Sequence, residues 1–287
     1  MPNTKEIKNR ITSIGTTMQI TSAMKLVSAA KLRKAQDAIT KIRPYVLKMT
    51  ELLQNVSGGS EDSISNPYIV KREVKNVLVV VVSSNKGLCG AFNTNIGKKA
   101  LSLIEETYKG KKIDIIAVGK KAGEYLGYKG YPIKSFYNDI YNNLTYKAVT
   151  DIAQSIMDAF ASGEYDVVEV VYNEFKNPAT QLLSVDRFLP VNIEEETTTT
   201  HKEDYIYEPS QEHIMYHLIP QALKIRFHRY LLESIAGEHG ARMTAMHKAT
   251  DNAEELKRTL TLEYNKMRQS AITNQILEIS SGAEALQ

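Results

Sequence analysis

The sequence predicts an α/β protein: a central, doubly wound (Rossmann-like) open sheet flanked by two long terminal helices. Three features of the chain point there. Heptad-like apolar patterns run over residues 1–57 and 210–287. Apolar runs alternate with amphipathic stretches through residues 74–192. An acidic connection, 193–209, contains "ETTTTHKEDY" and lacks apolar periodicity, while residues 58–73 link the first helix to the α/β part.

In the first helix Ile7, Ile11, Ile14 and Met18 step by four, three and four, the spacing of a heptad seam. Leu32, Ala35, Ile39, Ile42, Val46, Met49, Leu53 and Val56 resume the same register. Asn3 and Glu6 form a capping-box pattern, and Pro44, which lacks a backbone donor, marks an expected kink. About 53 helical residues would span roughly 80 Å and need a partner along their length. Between Met18 and Leu32 the heptad positions are Thr21, Lys25 and Ser28, which cannot form a dry seam. The apolar stripe there passes instead through Ile20, Ala23, Met24, Val27 and Ala30, so the helix is expected to turn its apolar face toward a second, larger partner.

The C-terminal helix repeats the pattern through Leu223, Phe227, Leu231 and Ile235, then Met246, Ala249, Ala253, Leu256, Leu260, Tyr264, Met267 and Ala271. Both stripes are narrow, as in a two-helix coiled coil rather than a globular core. The two terminal helices therefore form either a paired shaft or two separate arms. Gly237 and Gly240 weaken the second helix by about 1 kcal/mol each relative to Ala, and close approach of another backbone would explain them.

Between the helices, the all-apolar run Val77 to Val82 fits a strand buried on both faces. A loop, "SSNKGLCG", precedes an amphipathic helix with Ile96, Ala100, Leu101, Leu103 and Ile104 on one face. "IDIIAVG" and "YPIKSFY" supply a second and third strand, and Leu144, Ala148, Ile152, Ile156 and Phe160 mark another helix. "DVVEVVYNEF" and "QLLSVDRFLPV" read as a strand pair turning at Asn177 and Pro178.

Catalytic machinery is missing from the pattern. "SSNKGLCG" matches neither the Walker phosphate loop nor G-x-G-x-x-G, so Gly87 and Gly90 are expected to serve a tight strand-to-helix turn. Ser83 and Ser84 have no adjacent His or acid to activate them. His213 and His217 stand four apart, but "HIMYH" lacks the Glu of a zinc protease; these two and His228 read as an exposed helix face. His239 and His247 show no acidic or sulfur partner at ligand spacing. The single cysteine, Cys89, excludes an internal disulfide and a cysteine-based metal cluster and reads as a small buried residue. No catalytic, cofactor-binding or metal-binding residue is assigned.

With 43% hydrophobic and 24% charged residues the composition is that of a globular protein, and no run of about 18 apolar residues spans a membrane. Lys5, Glu6 and Lys8 stand where a signal peptide needs an apolar run, which places the chain in the cytoplasm. Net charge is +3, unevenly spread: residues 1–57 hold ten Lys or Arg against Glu6, Asp37 and Glu51. Lys25, Lys31, Arg33 and Lys34 cluster without aromatic residues for base stacking, so nucleic acid is not expected. Two rival classes are an α/β nucleotide-binding enzyme dimerised by its coiled coil, and a tether whose basic helix binds anionic lipid or nucleic acid. Nucleotide turnover by the isolated chain, or steeply salt-dependent binding, would mark each.

"IKNRITSIGTTMQITSAMKLVSAAKLRKAQ", "SSNKGLCGAFNTN" and "GARMTAMHKATDNAEEL…YNKMRQSAITNQILEISSGAEAL" resemble, in order, the N-terminal helix, first strand-loop-helix turn and C-terminal helix of the gamma subunit family of the bacterial F-type ATP synthase. Ile272, Thr273, Glu278, Gly282 and Ala283 fall where that family's end signature places them. The resemblance implies an antiparallel coiled coil, one copy per complex, inside a hexameric ring of alpha and beta subunits. It also implies a central foot domain seated on the membrane c-ring and holding epsilon. The implied role is the rotor: proton-driven rotation changes beta-subunit conformation, and the chain does no chemistry itself. It implies a peripheral place on the cytoplasmic face of the inner membrane.

Residue by residue, the resemblance assigns Arg268 and Gln269 to a polar pair that meets a beta-subunit catch loop, and Met24 to the methionine facing the lever region of beta. Lys25, Lys31 and Arg33 would meet acidic residues of that lever, and Thr273, Gln275 and Glu278 complete the contact set. Gln275 stands where the family usually has Glu, Ser22 where Lys is frequent, and Asn85 and Lys86 where Asp-Arg is common. The redox-sensing dithiol insertion of chloroplast relatives is absent.

Overall fold

The computed structural model of the chain describes residues 4–57, 66–141, 144–192 and 208–284. Asn3 of the expected capping box, residues 58–65 of the first link and 193–207 of the acidic connection lie outside them. Two compact units emerge, one made of residues 29–242 and the other of residues 1–28 with 243–287. Both long helices, α1 (Thr4–Ser57) and α5 (Gln211–Glu284), contribute to each unit. Among the described residues no helix is long and apolar enough to cross a membrane.

In the larger unit the run of valines becomes β1 (Asn76–Val82), with Val77 through Val82 fully buried. Burial on both faces follows from its central place in a five-stranded sheet of order β3-β2-β1-β4-β5. β2 (Lys112–Val118) and β4 (Val167–Asn177) pair with β1 in parallel, and β3 (Ile133–Tyr137) pairs in parallel with β2. β5 (Thr180–Leu189) returns antiparallel to β4 through the Asn177 turn, where Asn177 Oδ1 accepts from the backbone of Ala179 and Thr180.

Alternate side chains of β1 feed two cores. Val77, Val79 and Val81 pack with Phe92, Ile96 and Ala100 of α2 (Phe92–Ser102) and with Ala122 and Leu126 of α3 (Lys120–Tyr128). Leu78, Val80 and Val82 pack with Ile152, Ile156 and Phe160 of α4 (Tyr146–Ala161), and with Leu223, Phe227 and Tyr230 of α5. Helix α3 has no counterpart among the sequence-based expectations. Its Gly123 and Gly127 lower helix propensity and obscured the pattern. Gly123 is needed for packing: a Cβ there would lie 2.4 Å from the Phe136 ring and 2.9 Å from Ala117.

The expected narrow stripe on α5 is corrected in this unit. From Ala222 to Arg242 no residue is exposed, because α5 packs on the sheet as well as beside α1. Gly240 makes the close approach: a Cβ would sit 3.0 Å from the Pro178 carbonyl oxygen and 3.1 Å from its Cα. At Gly237 a Cβ would meet Gln181 at 3.2 Å and Phe92 at 3.3 Å. The cost in helix propensity is thus exchanged for contact between α5 and the β4–β5 turn.

The smaller unit is an antiparallel helix pair. Thr21 lies against Thr250 and Lys25 against His247, while a Cβ at Gly15 would be 4.0 Å from Lys257 Nζ; as position rises on α1 it falls on α5. Ile7 is 2% exposed, and Ile11, Ile14 and Met18 are half-buried along the seam.

Candidate functional site

The expected slip of the seam between Met18 and Leu32 does not occur. Thr21 and Ser28 are buried in the heptad register, at 8% and 3% exposure, with Lys25 half-buried between them. Hydrogen bonds make this polar stretch tolerable. Thr21 Oγ1 lies 2.8 Å from Thr250 Oγ1 and donates to the Met18 carbonyl, and Ser28 Oγ donates to the Met24 carbonyl at 2.7 Å. Lys25 Nζ is 3.4 Å from His247 Nδ1, which is itself 3.3 Å from Asp251 Oδ1. His247 therefore has the acidic neighbour denied it above, one helical turn along the same face.

Because the seam keeps its register, the apolar stripe beside it is left over. Ile20, Ala23, Val27 and Ala30 are exposed and Met24 is half-buried; Ile20 and Val27 are more than half accessible. No described partner covers them. This is the first candidate surface, with Met24 and Lys25 at its inner margin. Lys31 and Arg33, exposed on α1, belong to the larger unit.

The second surface is the end of α5. Its seam runs through Met246, Thr250, Ala253, Lys257, Leu260, Tyr264 and Met267, all at least half-buried. The expected Leu256 is off this seam and 50% exposed, because Lys257 holds the heptad position. Antiparallel pairing brings Thr4, where α1 starts among the described residues, opposite the stretch near Met267. Past that level α5 runs on alone, and every residue from Arg268 to Gly282 is exposed, including the expected seam residue Ala271.

Arg268, Gln269, Thr273, Gln275 and Glu278 all stand on this bare segment, with Thr273 Oγ1 bonded only to the Gln269 carbonyl. The structure does not bring them to Met24 and Lys25: Arg268 lies roughly 27 Å along the helix from Thr250. Ile272, Ile276, Leu277 and Ile279 are 49–73% exposed on the same segment. Apolar residues of that size on solvent-facing helix are an interaction surface. Ile276, Leu277 and Ile279 were not singled out as candidates; the signal was that apolar residues spread beyond one stripe after Met267.

At the C-terminal end of β1, where doubly wound sheets receive ligands, the turn is tied to α5. Arg242 of α5 donates to the carbonyls of Lys86 and Gly87 at 3.1 and 3.2 Å, and its guanidinium pairs with Glu238 at 2.6 Å, both side chains about nine-tenths buried. A phosphate loop would point N–H groups at this place, whereas here carbonyls face a cation. Ser84 N bonds to Asn93 Oδ1, and Ser83 Oγ accepts from the Ala122 backbone N–H, so both serines support the turn. Gly90 and Leu88 carry the left-handed backbone there, at φ 60° and 62°. Asn85 bridges the same region, donating to the Asn138 carbonyl and accepting from Lys120 N.

Burial raises the Glu238 carboxyl above its usual range, against the pull of Arg242, Lys31 and Lys86. Burial, with Arg242 and Lys31 adding to it, holds His239 down to about 4, and burial lowers His228. Cys89 is 1% exposed and its thiol is pushed up by burial, leaving it inert. Among the described residues no group of three or more His, Cys, Asp or Glu could hold a metal ion.

Comparison with known proteins gives a consistent result. A family model described as ATP synthase matches residues 3–286. The ATP synthase gamma chain of Flavobacterium johnsoniae is 53% identical over all of this chain and 99% of that relative, and the Cytophaga hutchinsonii one is 50% identical with the same coverage. Among solved structures, a central stalk and c-ring structure of the Tetrahymena thermophila mitochondrial ATP synthase has a chain 26% identical, with TM-score 0.60, matching 80% of this chain and 99% of that one. A chain of the Euglena gracilis mitochondrial ATP synthase, at 20% identity and TM-score 0.69, shares the fold over 99% of this chain and 94% of that one.

Proposed function

Because the chain belongs to the gamma-chain family of ATP synthases, we infer that its two bare helix surfaces are the ones a ring of alpha and beta subunits covers. It is a central-stalk subunit of that rotary enzyme and not a catalytic one. The observation that carries the contact assignment is that, among the described residues, α5 outruns its partner helix and leaves Ile272, Ile276, Leu277 and Ile279 exposed together on one segment. Burial of such residues needs a sleeve that the described residues do not supply.

On this account the paired terminal helices form the shaft and residues 74–192 the foot, which sits on the c-ring and holds epsilon. The complex has one copy of the chain per hexameric ring. The foot's place on the c-ring makes the chain peripheral, at the cytoplasmic face of the bacterial inner membrane. Met24, with the stripe from Ile20 to Val27, faces the beta lever, and Lys25, Lys31 and Arg33 meet its acidic residues. Arg268 and Gln269 meet a beta loop through bonds that rotation makes and breaks, with Thr273, Gln275 and Glu278 nearby. Exposed ion pairs are worth about 0–1 kcal/mol each, weak enough to exchange at every step. Coupling follows because each orientation of an asymmetric shaft favours a different beta conformation, and a shaft with equal contacts in all orientations would shift nothing.

Co-expression with alpha and beta subunits from the same genome tests this. The expected product holds one copy per hexameric ring, and removing residues from Arg268 onward lowers its ATPase activity. Failure to recover the complex, or unchanged ATPase after truncation, would overturn the assignment.

A further inference from the structure

We propose that the cavity between α1, the end of β5 and α5 binds a small carboxylate with a short apolar body. It has a volume of about 210 Å³ and lies wholly in the larger unit. Val46 and Met49 of α1, Leu223, Arg226 and Arg229 of α5, and Asp186 of β5 are among the residues that line it. The two guanidiniums bring ten N–H donors. The carboxylate between them does not satisfy these donors: Asp186 Oδ2 is 3.9 Å from Arg226 Nη2 and 3.7 Å from Arg229 Nη2, beyond hydrogen-bond reach. Asp186 Oδ2 instead accepts from Tyr172 Oη at 3.3 Å. Arg229 Nε is buried without any acceptor.

Both arginines rest over the Tyr230 ring, at 5.9 and 5.5 Å, which fixes their planes beside the cavity. Two cations and one carboxylate line the cavity, with Glu233 acting on Arg229 from outside the lining, and Arg229 Nε lacks an acceptor, the complement of an oxyanion that accepts two parallel N–H bonds. The apolar lining supplied by Val46, Met49 and Leu223 selects for an apolar body, since a bare inorganic anion would lose hydration there without compensation. Room for roughly seven waters, at about 30 Å³ each, limits the ligand to a short chain. This site is independent of the shaft surfaces and does not rest on their assignment.

The test titrates the full-length chain with hexanoate, and with hexanol and inorganic phosphate at matched ionic strength, by calorimetry. Saturable hexanoate binding is expected, weakened at least tenfold both by Arg229→Gln and by Val46→Phe, which fills the apolar wall but keeps both cations. Circular dichroism confirms that each variant is folded; if one is not, the remaining variant and the two control ligands decide. No saturable hexanoate binding by the wild type would overturn the proposal. So would binding unchanged in a folded variant, equal binding of phosphate, which would mark a bare anion site, or equal binding of hexanol, which would mark an apolar void.

Discussion

Two stretches of the same helix differ in every respect that burial controls. Between Ala222 and Arg242, α5 has no exposed residue, carries two glycines for close packing, and holds an ion pair, Glu238 with Arg242, about nine-tenths buried. Between Arg268 and Gly282 every residue is exposed, and four large aliphatic side chains face solvent. The first stretch is fixed by the chain's own sheet and by α1. The second has no partner among the described residues, since Thr4 of α1 stands opposite the stretch near Met267. Sequence features that look alike, apolar residues at steps of three and four, are thus buried in the chain's own core in one place and left exposed in the other.

Substitutions in each stretch separate these roles. Phe227→Ala in the buried stretch should destabilise the free chain by about 3–5 kcal/mol in denaturant unfolding, since the ring is fully buried and its removal leaves a cavity. A change below 1 kcal/mol would mean that this stretch is not part of the core. Arg242→Met should cost about 3 kcal/mol, because it leaves the Glu238 carboxylate buried without its guanidinium. Replacing both, with Gln at 238 and Met at 242, should recover much of that loss.

His239 gives a pH signature. Its folded pKa, about 4, lies below the unfolded value near 6.5, so between these the unfolded chain binds more protons. Stability is therefore full above pH 6.5 and falls as pH drops toward 4, by roughly 2 kcal/mol after allowing for the ring's partial exposure. Glu238 acts in the opposite sense, its raised pKa favouring the folded state as pH falls. The clean readout is the difference between wild type and His239→Gln, which should lose the histidine's share of the slope. At the small end, Ile276→Ser, Leu277→Ser and Ile279→Ser should each change the free chain's stability by no more than about 0.5 kcal/mol while reducing recovery with alpha and beta subunits.

Much of the fold was legible because strong periodicity survives tertiary context. The heptads of α1 and the valine run of β1 needed no knowledge of their surroundings. What was misread depended on neighbours. Gly123 hid α3 because its value is the space it leaves for Phe136. Leu256 outranked Lys257 on hydrophobicity, yet register placed the lysine on the seam beside Gly15. Thr21 and Ser28 were judged unable to sit in the seam, because the hydroxyl of Thr250 and the second lone pair of the Met24 carbonyl could not be counted in advance.

The candidate site was legible in part for a related reason. The exposed stripe at Ile20, Met24 and Val27 is visible as apolar residues in excess of what a two-helix seam needs, although the cause is a seam that stays in place rather than one that slips. The bare end of α5 required the pairing register, which only the contacts of Thr21 with Thr250 and Lys25 with His247 supply. The cavity beside Arg229 was out of reach, since it depends on a distance between α5 and β5.

Cysteine accessibility in the assembled complex tests the central claim most directly. The native Cys89 is 1% exposed and gives little background. Ile276→Cys, on the bare segment, and Tyr128→Cys, 90% exposed on the larger unit, should both alkylate rapidly in the free chain. Assembly with alpha and beta subunits alone should slow labelling at position 276 by at least tenfold and leave position 128 unchanged. Equal rates at position 276 in the free and assembled chain would contradict the account.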